Sequence, residues 1–318
     1  MASFSQATPL LKTSHVFPAD CSSCSRRVSN VLFATDFSSC SRAALPYACA
    51  ITRHFGAVLH LVHVVGPVPM IGPLGAPYTD VYYQDQLAQR ELASIADDPA
   101  VKQVRHCESL HRGVVGDVVS RLVFDRSIDL IVLGTHGRSG LKYFVLGSVA
   151  EHIIRHATCP VMTIGPGVCK DGPPEGRFAR VLLATNFSPA SMDALNNSLS
   201  IACANNATLI LFHAIVGEAT ETDEEYREYL KDATEGSGEQ LGKLVPENLS
   251  ISCEILMKTA LSPKTSPAEM ILEAATDNRA DLIVMGARRG TTVAAHAPRA
   301  IAHTVVCRAP CPVMTISR

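Results

Sequence analysis

The chain has 318 residues, of which 47% are hydrophobic and 18% charged, with a formal net charge of −2. That balance argues for compact globular structure and against disorder. No basic face, RNP-like aromatic pattern or zinc-finger spacing points to nucleic acid, and no apolar run approaches the roughly 18 residues of a membrane helix.

The first 27 residues form a serine-rich leader holding Cys21 and Cys24 as a CxxC pair. A zinc site needs two more ligands and no second CxxC exists, so a metal or redox role is disfavoured. Eleven cysteines scattered through the chain, with no export signal, predict reduced thiols and a soluble cytoplasmic protein. Next, β-rich runs at Asn30–Thr35, Val58–Val65, about Val101–Leu110, Leu130–Gly134 and Pro160–Ile164 alternate with helical segments at Ser39–Phe55, Asp80–Ala96, Val115–Arg126 and Ser148–Ala157. Pro46 leaves a kink or late start open in the first helix, and Ser148 with Glu151 reads as a capping box opening the last. Such alternation predicts βαβ units and a parallel sheet.

The same plan then repeats. VLFATDFS from Val31 returns as VLLATNFS from Val181, IDLIVLGTHG from Ile128 as ADLIVMGARR from Ala280, and CPVMTI occurs at both Cys159 and Cys311. The reading is therefore α/β with two doubly wound open sheets of about five mainly parallel strands each. The predicted domains are 28–164 and 178–318, joined by the glycine- and proline-rich linker Gly165–Arg177. The acidic stretch Thr220–Asp232 reads as a solvated helix or loop.

Between the fourth strand and the last helix of the first repeat, Gly134, Gly137 and Gly147 fall in the spacing G-x2-G-x9-G, followed at once by Ser148. Glycines let backbone N–H groups approach an anion, and a hydroxyl beside the first amides of a helix suits a phosphate. Ligands in open α/β sheets sit beyond the carboxyl ends of the strands, where Asp36, His63, Val64 and Gly134 all fall. Neither a Walker loop nor a Rossmann fingerprint accounts for these glycines.

On the segments VLFATDFS and VLLATNFS, the HV of LHLVHVV, DLIVLGTHGRSGLKYFVLGS and CPVMTI, the chain closely resembles the universal stress proteins in their tandem form. The resemblance implies an adenine nucleotide alpha hydrolase-like fold and a site for ATP, with or without Mg²⁺. It implies that Asp36 contacts ribose, that the Val64 backbone meets adenine, that Leu133 lines the pocket, and that Gly134, Gly137, Gly147, Ser148 and Val149 surround ribose and phosphates. Arg138 lies near the predicted phosphates. The second repeat departs from the pattern: Asn186 replaces Asp36, and Arg289, Arg299 and Ala300 stand where Gly137, Gly147 and Ser148 do, while Gly286 remains. That site is expected to be altered, so one nucleotide per chain is expected.

Blander readings stand beside these. The glycines could serve turns alone, Asp36 could be only a helix cap, and His63 and His213 read better as satisfied structural histidines than as catalysts. His152 and His156 share a helix face without a third metal ligand. The leading function is an ATP-binding stress-response regulator acting through conformation or partner choice. The alternatives are a slow ATP hydrolase and a nucleotide-free interaction scaffold with unidentified protein partners. The repeated CPVMTI strands, short and apolar, predict edges that pair with each other as an intramolecular pseudo-dimer; any homodimer would then use another surface.

Overall fold

The structure is a computed structural model that describes residues 13–16, 28–67, 80–136, 146–168, 172–173, 177–216, 223–244, 251–260, 266–287 and 301–317. The leader contributes β1 (Thr13–Val16). The first repeat then runs β2 (Asn30–Ala34), α1 (Ser39–Phe55), β3 (Val58–Val65), α2 (Asp80–Ala96), α3 (Pro99–Lys102), β4 (Arg105–Arg112), α4 (Val115–Asp125), β5 (Leu130–Gly134), α5 (Ser148–His156) and β6 (Val161–Ile164). The second runs β7 (Arg180–Ala184), α6 (Pro189–Asn205), β8 (Thr208–Val216), α7 (Asp223–Leu244), β9 (Ser252–Ala260), α8 (Pro267–Asp277), β10 (Leu282–Ala287), α9 (Ile301–Arg308) and β11 (Val313–Ser317).

The chain divides into two compact units. One is built on the first repeat and includes β11; its strand order is β4-β3-β2-β5-β6-β11. The pairs from β4 to β6 are parallel, and β11 joins β6 antiparallel. The first strand of the repeat is thus central. Connections run outward from β2 through β3 to β4, then return to β5 on its other side, so the winding reverses between β2 and β5. Right-handed crossovers then put the helices on both faces. Burial of both faces explains why β2 and β5 are continuous apolar runs: Val31, Leu32, Phe33, Ile131 and Val132 are wholly inaccessible. The other unit takes β1 and the second repeat through β10, in the order β1-β9-β8-β7-β10. There β1 lies antiparallel on β9, so part of the leader is an edge strand.

Two expectations need correction. The run near 101–110 becomes strand only from Arg105, because Asp98 caps the Ala100 amide and Pro99 starts the short helix α3. Nor is Ser148 a cap. Gly147 is the N-cap, with φ −62° and ψ 141°, and makes no side-chain cap hydrogen bond. A residue already inside the first turn cannot reach back to its own end, and Glu151 pairs instead with Arg155 at 2.6 Å. Pro46 neither breaks nor delays α1, which starts at the Ser38 cap and ends at Gly56 in the left-handed region.

Candidate functional site

The loop after β2 is held by short-range bonds. Thr35 Oγ1 lies 3.0 Å from Ser41 Oγ and accepts from the Phe37 amide, while Asp36 Oδ1 accepts from the Ser38 amide at 3.0 Å. These bonds hold Phe37 at φ 65°, unusual for a bulky residue, and its ring lies 4.2 Å from that of His63. His63 Nδ1 stands 2.7 Å from the Thr35 carbonyl and therefore carries the proton it donates there. The second repeat copies every part. Phe187 has φ 58°, Asn186 Oδ1 accepts from Ser188, and His213 Nδ1 donates to the Thr185 carbonyl. His63 and His213 are thus structural histidines that fix the turn.

That duplication separates two properties of Asp36. The turn needs only an acceptor oxygen, which Asn186 supplies equally well, and the helix cap itself is Ser38. The turn does not need the charge. Burial pushes the Asp36 pKa up, but hydrogen bonds from the Ser38 side chain and amide and from Ser41 outweigh it and leave the carboxyl below its ordinary value. The group is a carboxylate at neutral pH.

Gly134, at the end of β5, is explained by packing. A Cβ there would stand 2.8 Å from the Cys40 carbonyl carbon and 2.9 Å from the Ser41 amide nitrogen, inside the first turn of α1. Gly286 is under the same constraint, with a Cβ 2.5 Å from the Ala190 carbonyl carbon. This fold position therefore demands glycine whether or not a ligand binds, which is why it alone of the three survives in the second repeat.

A cavity of about 340 Å³ opens at the carboxyl ends of β2, β3 and β5, where the winding reverses. It brings together Asp36, Val64, Leu133, Gly134, Gly147, Ser148 and Val149. Gly137 and Arg138 lie outside the described residues, as do Arg289, Arg299 and Ala300 of the second repeat and Cys21 and Cys24 of the leader. The Gly147 amide donates to the Thr135 carbonyl at 2.9 Å, and the first intrahelical bond of α5 runs from Glu151 to Gly147. The amides of Ser148, Val149 and Ala150 precede that bond, at the positive end of the helix dipole.

Sequence reasoning passed over several wall residues. Val115 and Val119, spaced one helical turn apart on α4, and Ile153 on α5 supply apolar surface. Thr135 and His136 stand between two of the motif glycines. Thr135 Oγ1 lies 2.8 Å from His136 Nδ1, while His136 Nε2 is buried without a hydrogen-bond partner among the described residues. Burial holds the His136 pKa below its ordinary value, so the ring is neutral at pH 7. On α5 the His152 and His156 rings stack at 4.2 Å, and the described residues contain no cluster of three or more metal-binding side chains.

The model of the universal stress protein family matches residues 28–165 and again 177–317. The chain belongs to that family. A universal stress protein of Methanocaldococcus jannaschii is 32% identical over 139 residues, covering 42% of this chain and 80% of the relative. Universal stress protein A homolog 1 of Coxiella burnetii is 33% identical over 142 residues, covering 42% of the chain and 94% of its own length. A universal stress protein from Archaeoglobus fulgidus, solved by crystallography, superposes with TM-score 0.64 over 92% of this chain and 99% of its own, at 18% identity. The fold class, α/β with a mostly parallel sheet, is that of the family, and the tandem plan is shared with the A. fulgidus structure at the level of fold. No helix among the described residues is long and apolar enough to cross a membrane.

Proposed function

We propose that the protein binds one adenine nucleotide, ATP, with or without Mg²⁺, in the first-repeat cavity, and works as a nucleotide-dependent regulator of a stress response. The observation that carries this reading is the composition of one cavity wall: a charged carboxylate at Asp36, a His136 Nε2 without a hydrogen-bond partner among the described residues, and a helix start whose N-cap is a glycine with no side chain to offer. A buried polar nitrogen without a partner is costly, and an anionic, hydroxyl-bearing ligand would satisfy all three groups. A cavity of about 340 Å³ lies within the range of small-molecule sites.

In this reading Asp36 accepts from ribose hydroxyls, Val64 and Leu133 border the base, and the α5 amides with Ser148 receive phosphate oxygens. Gly137 and Arg138 would flank the phosphates. Asp36 is the single carboxylate among the described residues of the wall. Phosphoryl transfer ordinarily calls for several acidic groups that hold Mg²⁺ and position a nucleophile. The wall therefore favours binding and conformational signalling over turnover.

Titration calorimetry with ATP on the full chain should return a stoichiometry near one, since the second repeat has lost the Asp36 charge and two motif glycines. A value near two, or no heat at all, contradicts the assignment. Ser148→Ala separates ligand binding from helix stability. Because Ser148 is inside the first turn and does not cap it, the thermal midpoint should hold. Loss of a hydrogen bond to a charged phosphate should weaken ATP binding by about 1.5–3 kcal/mol, roughly 10- to 150-fold. A fall in midpoint with unchanged affinity would reverse the two roles.

A further inference from the structure

Away from the cavity, toward the amino-terminal ends of β2, β3 and β4, three polar side chains form a directed chain. Cys107 Sγ lies 3.2 Å from His60 Nδ1, and His60 Nε2 lies 3.0 Å from Asn30 Oδ1. Asn30 Nδ2 donates to the Ser127 carbonyl at 3.4 Å, which turns its oxygen toward the histidine. An amide oxygen only accepts, so Nε2 carries the imidazole proton and Nδ1 offers its lone pair to the Cys107 thiol. Burial, reinforced by the charge of Arg126, holds the His60 pKa below its ordinary value, so that lone pair is available at neutral pH.

The second repeat shows what this place in the fold needs structurally. Strand register puts Arg180, Ile210 and Glu254 at the positions of Asn30, His60 and Cys107. There Arg180 and Glu254 close an ion pair at 3.1 Å across an apolar residue. One repeat thus ties its strands with opposite charges, and the other sets a nucleophile, a base and an orienting amide in the same places. Cys107 is partly exposed on β4, which ends the strand order of its unit. By contrast, burial drives the Cys49 and Cys253 thiols up to about 12 and leaves them inert.

We infer that Cys107 is a hydroperoxide-reactive thiol, with His60 as its base and Asn30 as the residue that positions His60. In the step, the Cys107 sulfur attacks one peroxide oxygen. The S–O bond forms as the O–O bond breaks, and the thiol proton passes through His60 Nδ1 to the departing oxygen. The products are a cysteine sulfenic acid and an alcohol, or water when the oxidant is hydrogen peroxide. Sulfur is oxidised by two electrons and the peroxide is reduced by two.

The test uses the reduced full chain, hydrogen peroxide and dimedone, with sulfenic acid at each cysteine followed by peptide mass spectrometry. Cys40 and Cys203, also partly buried, are internal references. Cys107 should label at least about tenfold faster than either, and His60→Gln should remove at least about tenfold of that rate while leaving the references unchanged. Asn30→Leu should slow Cys107 in the same direction, whereas Asn30→Asp, which still offers His60 Nε2 an acceptor, should preserve the rate. Equal labelling of Cys107 and Cys203 in the unaltered chain overturns the inference. So does an undiminished Cys107 rate in a folded His60→Gln protein. If His60→Gln does not fold, the Asn30 pair decides: equal rates in Asn30→Leu and Asn30→Asp overturn it.

Discussion

Gly147→Arg should weaken ATP binding severely and leave the protein folded. Gly147 caps α5 with φ −62° and ψ 141°, a conformation open to any residue, so the larger side chain meets no backbone strain. Its costs are loss of a favourable N-cap residue and a positive charge at the positive end of a helix dipole. Together these amount to about 1–2 kcal/mol, or a fall in thermal midpoint of about 2–8 °C. The residue also lines the cavity beside Ser148 and Val149, where an arginine side chain competes with the ligand for space and for the same amides. Affinity should fall by more than about 100-fold. Adding Gly137→Arg reproduces both arginines of the second repeat and should leave no measurable heat in a calorimetric titration. Wild-type affinity in the folded single variant would take the α5 start out of the binding site.

Much of this architecture was legible because its signals are local. Helix α1 begins at a serine cap and stops at a glycine, and β5 is an apolar run stopped by a glycine, so neighbouring residues set their bounds. The cavity's position followed from strand order, since Asp36 follows β2, Val64 is next to the last residue of β3 and Gly134 ends β5, and the pairing of β2 with β5 brings two of those carboxyl ends together. What escaped is non-local. Val115 and Val119 look like ordinary core residues until α4 is placed beside the strand ends. The leader strand β1 has no periodicity to mark it and exists through its pairing with β9. Asn30, His60 and Cys107 come from three strands, and only the register makes them neighbours. Gly134 lines the cavity, yet Gly286 carries the same steric demand in a repeat whose other motif glycines are gone, so packing against α1 by itself requires glycine at this position.

Removing β11 should turn a satisfied strand into an adhesive edge. β6 is bonded to β5 on one side and to β11 on the other, with Val161, Met162, Thr163 and Ile164 all at most 1% exposed. The β6 and β11 pairing joins two copies of one sequence about a local twofold centre: Met162 faces Met314, Val161 faces Thr315, and Thr163 faces Val313. Hydroxyls reinforce it from both sides, Thr163 Oγ1 donating to the Val313 carbonyl at 3.1 Å and Thr315 Oγ1 to the Val161 carbonyl at 3.3 Å. A strand that pairs with its own copy in this register can pair with β6 of another chain in the same way. An apolar, uncharged edge of this kind carries none of the devices that discourage association. A chain ending at Arg308 should therefore form homodimers or larger species at micromolar concentration in analytical ultracentrifugation, whereas the full chain should show no association through this edge. Met314→Pro, which puts a proline in the middle of β11 while keeping the full length, should move the equilibrium the same way. A shortened chain that stays folded and monomeric over the same range would show that the β6 edge has no self-pairing tendency, and that β11 covers it for the sake of burial alone.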